Sequence, residues 1–424
     1  MSVIQSITGL IGLAMQCSKL VSKSLLIAAV ALIVLAALVV PASAAELTVG
    51  TDGQYKTIQQ AVNAATSGDT IRVAPGTYAE NVVVDKSLTI TAASGQPIVQ
   101  AANSGADVFL ITSSGVHIDG LKITGGASGV HIQQTSKCAV TNIVARDNKR
   151  AVYFSYSTNN KVSDSDLANN GYGVYSDYSS NNTIASNVAT GETGADNALG
   201  DGIFLNYGDS NAVTHNNLSA NHVYGISLYH SPRNIISNNS ISNNEQIGVR
   251  LGEESNNNTL TFNTISSNKD LGILILKATG NKIYLNNFVS QSDAIRDASA
   301  AILNSPEKLV YTFNGVEHTS YMSNFYSDYT GTDANGAGIG SAPSAYGDKF
   351  PLMKSVASYG TIIPVSAVTP TPSPQSENST TVSENQSISE TQVLGLSAIF
   401  LVAIFAVVGL AIAFFILRRS PPSE

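Results

Sequence analysis

The sequence predicts an all-β fold, a right-handed parallel β-helix with three short strands in each coil of roughly 23 residues. Three observations carry it. Apolar residues recur in three columns at a common period, and asparagines fill fixed slots between those columns. The 3.6-residue periodicity that a helical solenoid needs is absent from the same region.

The first column is Val130, Val152, Val174, Ile203, Ile226, Val249 and Ile273, separated by 22, 22, 29, 23, 23 and 24 residues. The second, ten or eleven residues on, is Val140, Val162, Ile184, Val213, Ile236, Leu260 and Ile283. The third, five further on, is Ala145, Leu167, Ala189, Leu218, Ile241, Ile265 and Phe288. Strand side chains alternate between faces, so three short strands that each turn one residue inward make one triangular coil. About ten coils at ~4.8 Å each give a rod roughly 50 Å long.

Two columns of asparagine mark the corners. One is Asn160, Asn182, Asn211, Asn234, Asn258 and Asn281; the other is Asn148, Asn170, Asn221, Asn244 and Asn268. Asparagine tolerates the left-handed backbone of a sharp corner, and stacked amides can bond along the axis as a ladder. Cys138 falls in the slot of Asn160 one coil earlier, which predicts a small residue at a ladder's end. A propeller would need a period nearer 40 residues and antiparallel hairpins.

Before the repeat, Tyr55–Ala65 has an amphipathic helical pattern with Ile58, Ala61, Val62 and Ala65 on one face. It predicts an N-terminal capping helix over the first coil, whose open edge otherwise invites aggregation. Strands are expected at Thr70–Val73, Asn81–Val84, Leu88–Ala92, Val108–Thr112, Val116–Ile118 and Leu121–Thr124.

The two ends have opposite meanings. Lys19 and Lys23 precede an apolar run, Leu25–Val40, and the small-residue stretch Pro41–Ala45. That pattern predicts a signal peptide, residues 1–45, cleaved after Ala44 or Ala45, rather than a retained anchor; Met15 is an alternative start. Near the other end, residues 393–417 form an uncharged apolar stretch long enough for a transmembrane helix. Arg418 and Arg419 follow, which places residues 418–424 in the cytoplasm and the rest outside as a single-pass surface protein. Residues 365–392 hold Thr369-Pro370-Thr371-Pro372-Ser373-Pro374 and then polar residues, a composition that predicts a disordered stalk. Asn378 and Asn385 are its glycosylation candidates; further sequons at Asn181, Asn217, Asn238 and Asn257 lie in the Asn-rich repeat. The solenoid spans residues 46–310 and a C-terminal capping region residues 311–364.

Composition excludes some functions. Removing the leader takes away Lys19 and Lys23 and leaves 20 basic against 30 acidic residues, so the basic footprint of a nucleic-acid binder is missing. Of two cysteines, Cys17 lies in the leader, so no internal disulfide is possible.

Tyr55-Lys56-Thr57-Ile58-Gln59-Gln60-Ala61-Val62 through Gly76-Thr77-Tyr78 resembles the opening of many extracellular right-handed β-helix proteins. The Asn-x-Ile and Gly-Ile/Val-x-Leu repeats resemble the NosD-like β-helix, also called the carbohydrate-binding and sugar-hydrolase repeat. Residues 311–353, with Asn324-Phe325-Tyr326-Ser327-Asp328-Tyr329 and Phe350-Pro351-Leu352-Met353, resemble the tail of archaeal surface proteins of that group. The resemblance covers about residues 46–355. The NosD name implies copper delivery, but Met322, Met353, one Cys and scattered His are a poor set of soft ligands, and copper is not carried over. The Gly-His-Gly and Arg-Ile-Lys pattern of the similar galacturonan hydrolases is absent.

Candidate chemistry is sparse. Asp164, Asp166, Asp177, Asp201, Asp209, Glu253, Glu254 and Asp270 spread around the coil, and no three share an offset in adjacent coils. An insertion at residues 190–200, with Glu192, Asp196 and then Asp201, breaks the rhythm and reads as a surface excursion. Tyr153, Tyr175 and Phe204 stand one residue past the first column, and Tyr156, Tyr178 and Tyr207, followed by His230, three further on. These rings are carbohydrate-stacking candidates; the plainer reading is that they stack on one another to stabilise the sheet. Residues 331–338 resemble a calcium loop, with Asp333 and Asn335 as metal candidates, but Ala337 stands where a third acidic ligand would help. His215, His222 and His230 share no column and read as solvated. The leading expectation is a non-enzymatic, membrane-anchored surface protein that binds carbohydrate or serves adhesion or envelope structure. The rival is a surface polysaccharide lyase, hydrolase or epimerase acting on acidic glycans.

Overall fold

The computed structural model describes residues 44–194 and 200–367. The leader up to residue 43, Asp196, the stalk from residue 368, Asn378, Asn385, the apolar stretch 393–417 and the tail 418–424 lie outside the described residues. Among the described residues no helix is long and apolar enough to cross a membrane.

Short strands, most of three to six residues, stack into a parallel β-solenoid of about eleven turns. One face is a twelve-stranded sheet and a second is a ten-stranded sheet; the third face is split into sheets of four and five strands. The three apolar columns are the inward positions of these faces. Val130, Val152, Val174, Ile203, Ile226, Val249 and Ile273 pair in register along the ten-stranded sheet. Val140 to Ile283 do the same along the twelve-stranded sheet. On the third face Leu218, Ile241, Ile265 and Phe288 align, while Leu167 and Ala189 are flanked by isolated bridges that split that face in two. All are buried in one continuous core. Burying a Val, Leu or Ile side chain is worth about 1.5–3 kcal/mol, so coil-on-coil stacking is driven by these residues.

Corners leave backbone groups that no neighbouring strand pairs, and the asparagines satisfy them. The backbone N–H of Asn160 donates to the Asn182 amide oxygen, and the same bond links Asn182 to Asn211, Asn211 to Asn234 and Asn234 to Asn258, all at 2.7–2.9 Å. Each amide nitrogen donates in turn to a carbonyl, as from Asn182 to Ser157 at 3.1 Å. Cys138 ends this ladder: its N–H donates to Asn160 at 2.9 Å. A third ladder, Asn187, Asn216, Asn239, Asn263, Asn286 and Asn324, escaped the sequence reading. The left-handed backbone falls one residue before the ladder slot rather than in it, at Asn159, Asn181, Ser210, Arg233 and Asn257. The ladder asparagines are there for their amides, not for their tolerance of positive φ.

The predicted helix forms as α1, Ile58–Ala64, with Thr57 as N-cap; its hydroxyl accepts from the Gln60 N–H. Ile58, Ala61 and Val62 pack into the solenoid core. Glu80 accepts from the N–H groups of Ile58 and Gln59 at 2.8 and 2.9 Å, and Lys86 donates to the carbonyls of Val62, Asn63 and Ala65. An acid at the N-terminus and a cation at the C-terminus complement the helix dipole. Three strands that the sequence pattern does not announce complete the first coils: Glu46–Val49, parallel to Thr70–Val73, and the pair Thr77–Ala79 and Ile98–Gln100, parallel to each other.

Towards the C-terminal end, Leu309–Phe313 pairs antiparallel with Val316–Ser320 and Gly360–Pro364. Asn314 and Gly315 both have positive φ, as a tight hairpin turn requires. A second core, including Tyr311, Phe313, Met322, Leu352 and Tyr359, fills this region.

Candidate functional site

The outer surface of the ten-stranded sheet carries the chemistry. Each strand there begins at a bend whose residue, often glycine, faces the interior. A Cβ at Gly225 would lie 2.5 Å from an Ile241 methyl, and one at Gly202 only 2.7 Å from the Gly225 carbonyl. The chain turns at that point, so residues two before and one after the inward column both lie on the outer side of the sheet, where neighbours cover some of them: Ser128, Asp201 and Ser227 are buried. One row is therefore His131, Tyr153, Tyr175, Phe204, Ser227 and Arg250, in register. Beside it runs a row from Asp107 through Arg150, Tyr172 and Asp201 to Tyr224.

The rings of the first row touch in sequence. His131 stacks on Tyr153 at 4.3 Å, and Tyr175 stands edge-on to Tyr153 at 5.4 Å and to Phe204 at 5.2 Å. Tyr172 fills in beside Tyr175 and Phe204. The Arg150 guanidinium lies over Tyr153 and Tyr175, 4.7 and 5.1 Å from the ring centroids, and its Nε–H is buried without an acceptor. Burial, reinforced by Asp177, pushes the Tyr175 phenol up to about 12.

Tyr156, Tyr178, Tyr207 and His230 form a second file at the adjoining corner, stacked at 5.0, 4.6 and 4.6 Å with interplanar angles of 1–2°. Their faces cover one another, so this file offers solvent its ring edges and hydroxyls. All four have φ between 46° and 50°, the left-handed region usually left to Gly, Asn or Asp. The solvated reading holds for exposed His215 but not for His230, which extends the stack and bonds Glu254 at 2.9 Å; His222 bonds Glu245 at 2.9 Å.

The insertion brings two carboxyls inside. Glu192 is fully buried in a ladder slot between Asn170 and Asn221; Oε2 accepts the Asn170 N–H at 2.6 Å and Oε1 has no partner. Burial holds its pKa well above the usual carboxylate range, against the pull of the Asn170 N–H and the Arg146 charge. Asp201 is likewise buried; Oδ1 accepts the Tyr224 N–H at 3.3 Å and Oδ2 has no partner. Burial raises it to about 8, opposed by that N–H and by Arg250. Asp201 is thus a neutral acid at pH 7 on the aromatic face. The sequence places Glu192 in a surface excursion and Asp201 just after it; both are buried instead.

The calcium-like loop uses its own ligands. Asp333 accepts from Ala337 and Gly338 N–H groups at 3.0 and 2.7 Å, and Asn335 accepts from Ala337 at 3.1 Å. Ala44 and Ala45, the expected cleavage positions, are exposed, and the Ala45 N–H donates to Asp69 at 2.7 Å.

A parallel β-solenoid with an open, aromatic, polar face is the class these features define. Residues 62–223 and 195–331 match the family described as periplasmic copper-binding protein (NosD), and the chain belongs to that family. It is 36% identical over 104 residues to a cell surface glycoprotein of Methanothermus fervidus, a match covering 24% of this chain and 17% of that relative. In structure it is similar to an alginate lyase from Paenibacillus sp. str. FPU-7, with a TM-score of 0.52 at 15% identity, over 61% of this chain and 99% of the lyase. That likeness is one of fold.

The donor set does not fit the copper of the family's description. Cys138 is buried with its thiol directed at the Ser113 carbonyl, and burial pushes its pKa up. Met322 is buried in the second core. Among the described residues no three His, Cys, Asp or Glu side chains converge.

Proposed function

We propose that this chain is a cell-surface protein that binds glycans along the outer face of its ten-stranded sheet. The observation that carries the reading is the continuous row of rings from His131 to Phe204, overlain by the half-buried Arg150 guanidinium. Sugar C–H groups pack against the exposed parts of aromatic rings, and a guanidinium recognises a carboxylate, so the ligand is an extended acidic glycan. A surface location agrees with the relative's description and with the expected leader, stalk, single-pass span and cytoplasmic tail. In this reading α1 shields the open edge of the first coil and residues 311–364 close the other end. Bound calcium at Asp333 and Asn335 is no part of the reading.

The test is a glycan array probed with the full-length chain in detergent micelles. Acidic glycans should bind, and Tyr153→Ala/Tyr175→Ala or Arg150→Gln should weaken binding at least tenfold. Binding that ignores both variants removes the reading. A polysaccharide lyase, hydrolase or epimerase is the second reading, favoured by Asp201, a neutral acid near Arg250 on the same face. Cleavage or epimerisation of a uronic-acid polymer, lost in Asp201→Asn, would establish it.

A further inference from the structure

We propose that Asp107, His131 and Ser155 form an ester-hydrolysing centre on the aromatic face, acting on acyl esters of sugars. The substrate class rests on the glycan reading above; the centre itself rests on geometry. His131 Nδ1 faces Asp107 Oδ2 at 2.7 Å, and Nε2 faces Ser155 Oγ at 2.9 Å. A carboxylate on Nδ1 holds the proton there and leaves the Nε2 lone pair to accept from the Ser155 hydroxyl. Nucleophile, base and orienting acid therefore stand in the order that acyl transfer needs.

Three consecutive coils supply the three residues. Their strands are in register, Phe109 with Val130 and Val130 with Val152. Asp107 lies two residues before that column, His131 one after and Ser155 three after, so the chain of bonds runs diagonally across the sheet. Stacking on Tyr153 at 4.3 Å fixes the imidazole plane. Asp107 stays a carboxylate: burial raises its pKa, but the His131 hydrogen bond and the Arg150 charge outweigh it. Arg150 begins the strand that ends in Ser155, and its half-buried guanidinium, beside Tyr153, supplies positive charge on the same face for negative charge building on a carbonyl oxygen.

In the reaction, Ser155 Oγ bonds to the ester carbonyl carbon as its proton passes to His131 Nε2. The carbon–oxygen bond to the sugar then breaks, and the sugar oxygen takes that proton. Water, deprotonated by His131, attacks the acyl-serine; the carboxylic acid leaves and the Ser155 hydroxyl is restored. No oxidant or metal is needed. Ser155, 4% exposed, follows Tyr153 by two residues on one strand, so a sugar held against the edge of Tyr153 brings its acyl group alongside that hydroxyl.

The experiment treats the full-length chain in micelles with a biotinylated fluorophosphonate and, separately, with p-nitrophenyl acetate. We expect a covalent adduct located at Ser155 by peptide mass spectrometry, and ester hydrolysis above background. Ser155→Ala should abolish both, and Asp107→Asn should slow hydrolysis by roughly 100-fold or more while circular dichroism stays unchanged. No adduct on the folded chain, an adduct elsewhere, or hydrolysis that survives Ser155→Ala overturns the proposal. Neither probe contains a sugar, so labelling without glycan binding removes only the glycan reading, and binding without labelling removes only this centre.

Discussion

Asp201 should make the solenoid less stable as pH rises, and Asp201→Asn should remove that dependence. Its carboxyl sits at about 8 in the fold against 3.8 when exposed. The folded state therefore keeps a proton that the unfolded chain releases, and stability falls with pH between those values. At about 1.4 kcal/mol per unit, raising the pH from 5 to 7 costs at most on the order of 3 kcal/mol through this residue. Below pH 4 both states are protonated and the loss vanishes. In Asp201→Asn the amide oxygen still accepts from the Tyr224 N–H, and no proton is released on unfolding.

Guanidinium unfolding of both proteins at pH 5, 6 and 7 isolates the effect, because every other titrating group is common to the two. The wild-type midpoint should fall relative to the variant's at each step. Equal pH slopes would refute the argument and mean that Asp201 reaches water in the folded protein.

Three further outcomes follow from the same geometry. Glu192→Gln gives the ladder a neutral amide in place of a carboxyl with an unpartnered oxygen, so its melting temperature should exceed wild type, increasingly so towards high pH. Asn234→Ala strips the partners from the Asn211 N–H and the Gly208 carbonyl, both buried, and should cost about 2–5 kcal/mol by denaturant titration; exposed Asn243→Ala, off the ladder, should cost far less. Tyr178→Asn relieves a side chain held at φ 46° by about 1 kcal/mol but removes two ring contacts of similar worth, so thermal melting should barely move.

The fold was legible because its driving residues repeat. Val152, Val174 and Ile226 announce their role by recurring at one offset, and a single Asn column announces a ladder in the same way. Legibility failed where a slot changed residue type. The third ladder begins at Ser165 before Asn187 takes over, and an asparagine slot is filled by Glu192, an acidic residue type that reads as a loop residue when charge alone is weighed. Asp107, His131 and Ser155 could not be found by searching columns. Each follows the one before by 24 residues along the chain, but they occupy three different offsets. Only the bend before each strand, which turns the residue two before the column outward, brings them onto one diagonal.

That diagonal explains why a solenoid can hold such a constellation without a cleft. Interior ladders fix the register of successive coils, so outward side chains recur at about 4.8 Å along the axis with little freedom to drift. A hydrogen-bonded triad tolerates only about 0.5 Å of error, and strands meet that limit better than loops. The same rigidity holds Tyr156, Tyr178 and Tyr207 in left-handed backbone at a corner where Asn or Gly would be at ease. On the border of the face that carries Arg150 and Ser155, this corner presents three phenols in adjacent coils, and in the glycan reading they are part of the binding face. If so, replacing all three tyrosines by asparagine should leave the fold intact and remove glycan binding, and retention of binding in that variant would assign the file to sheet packing alone.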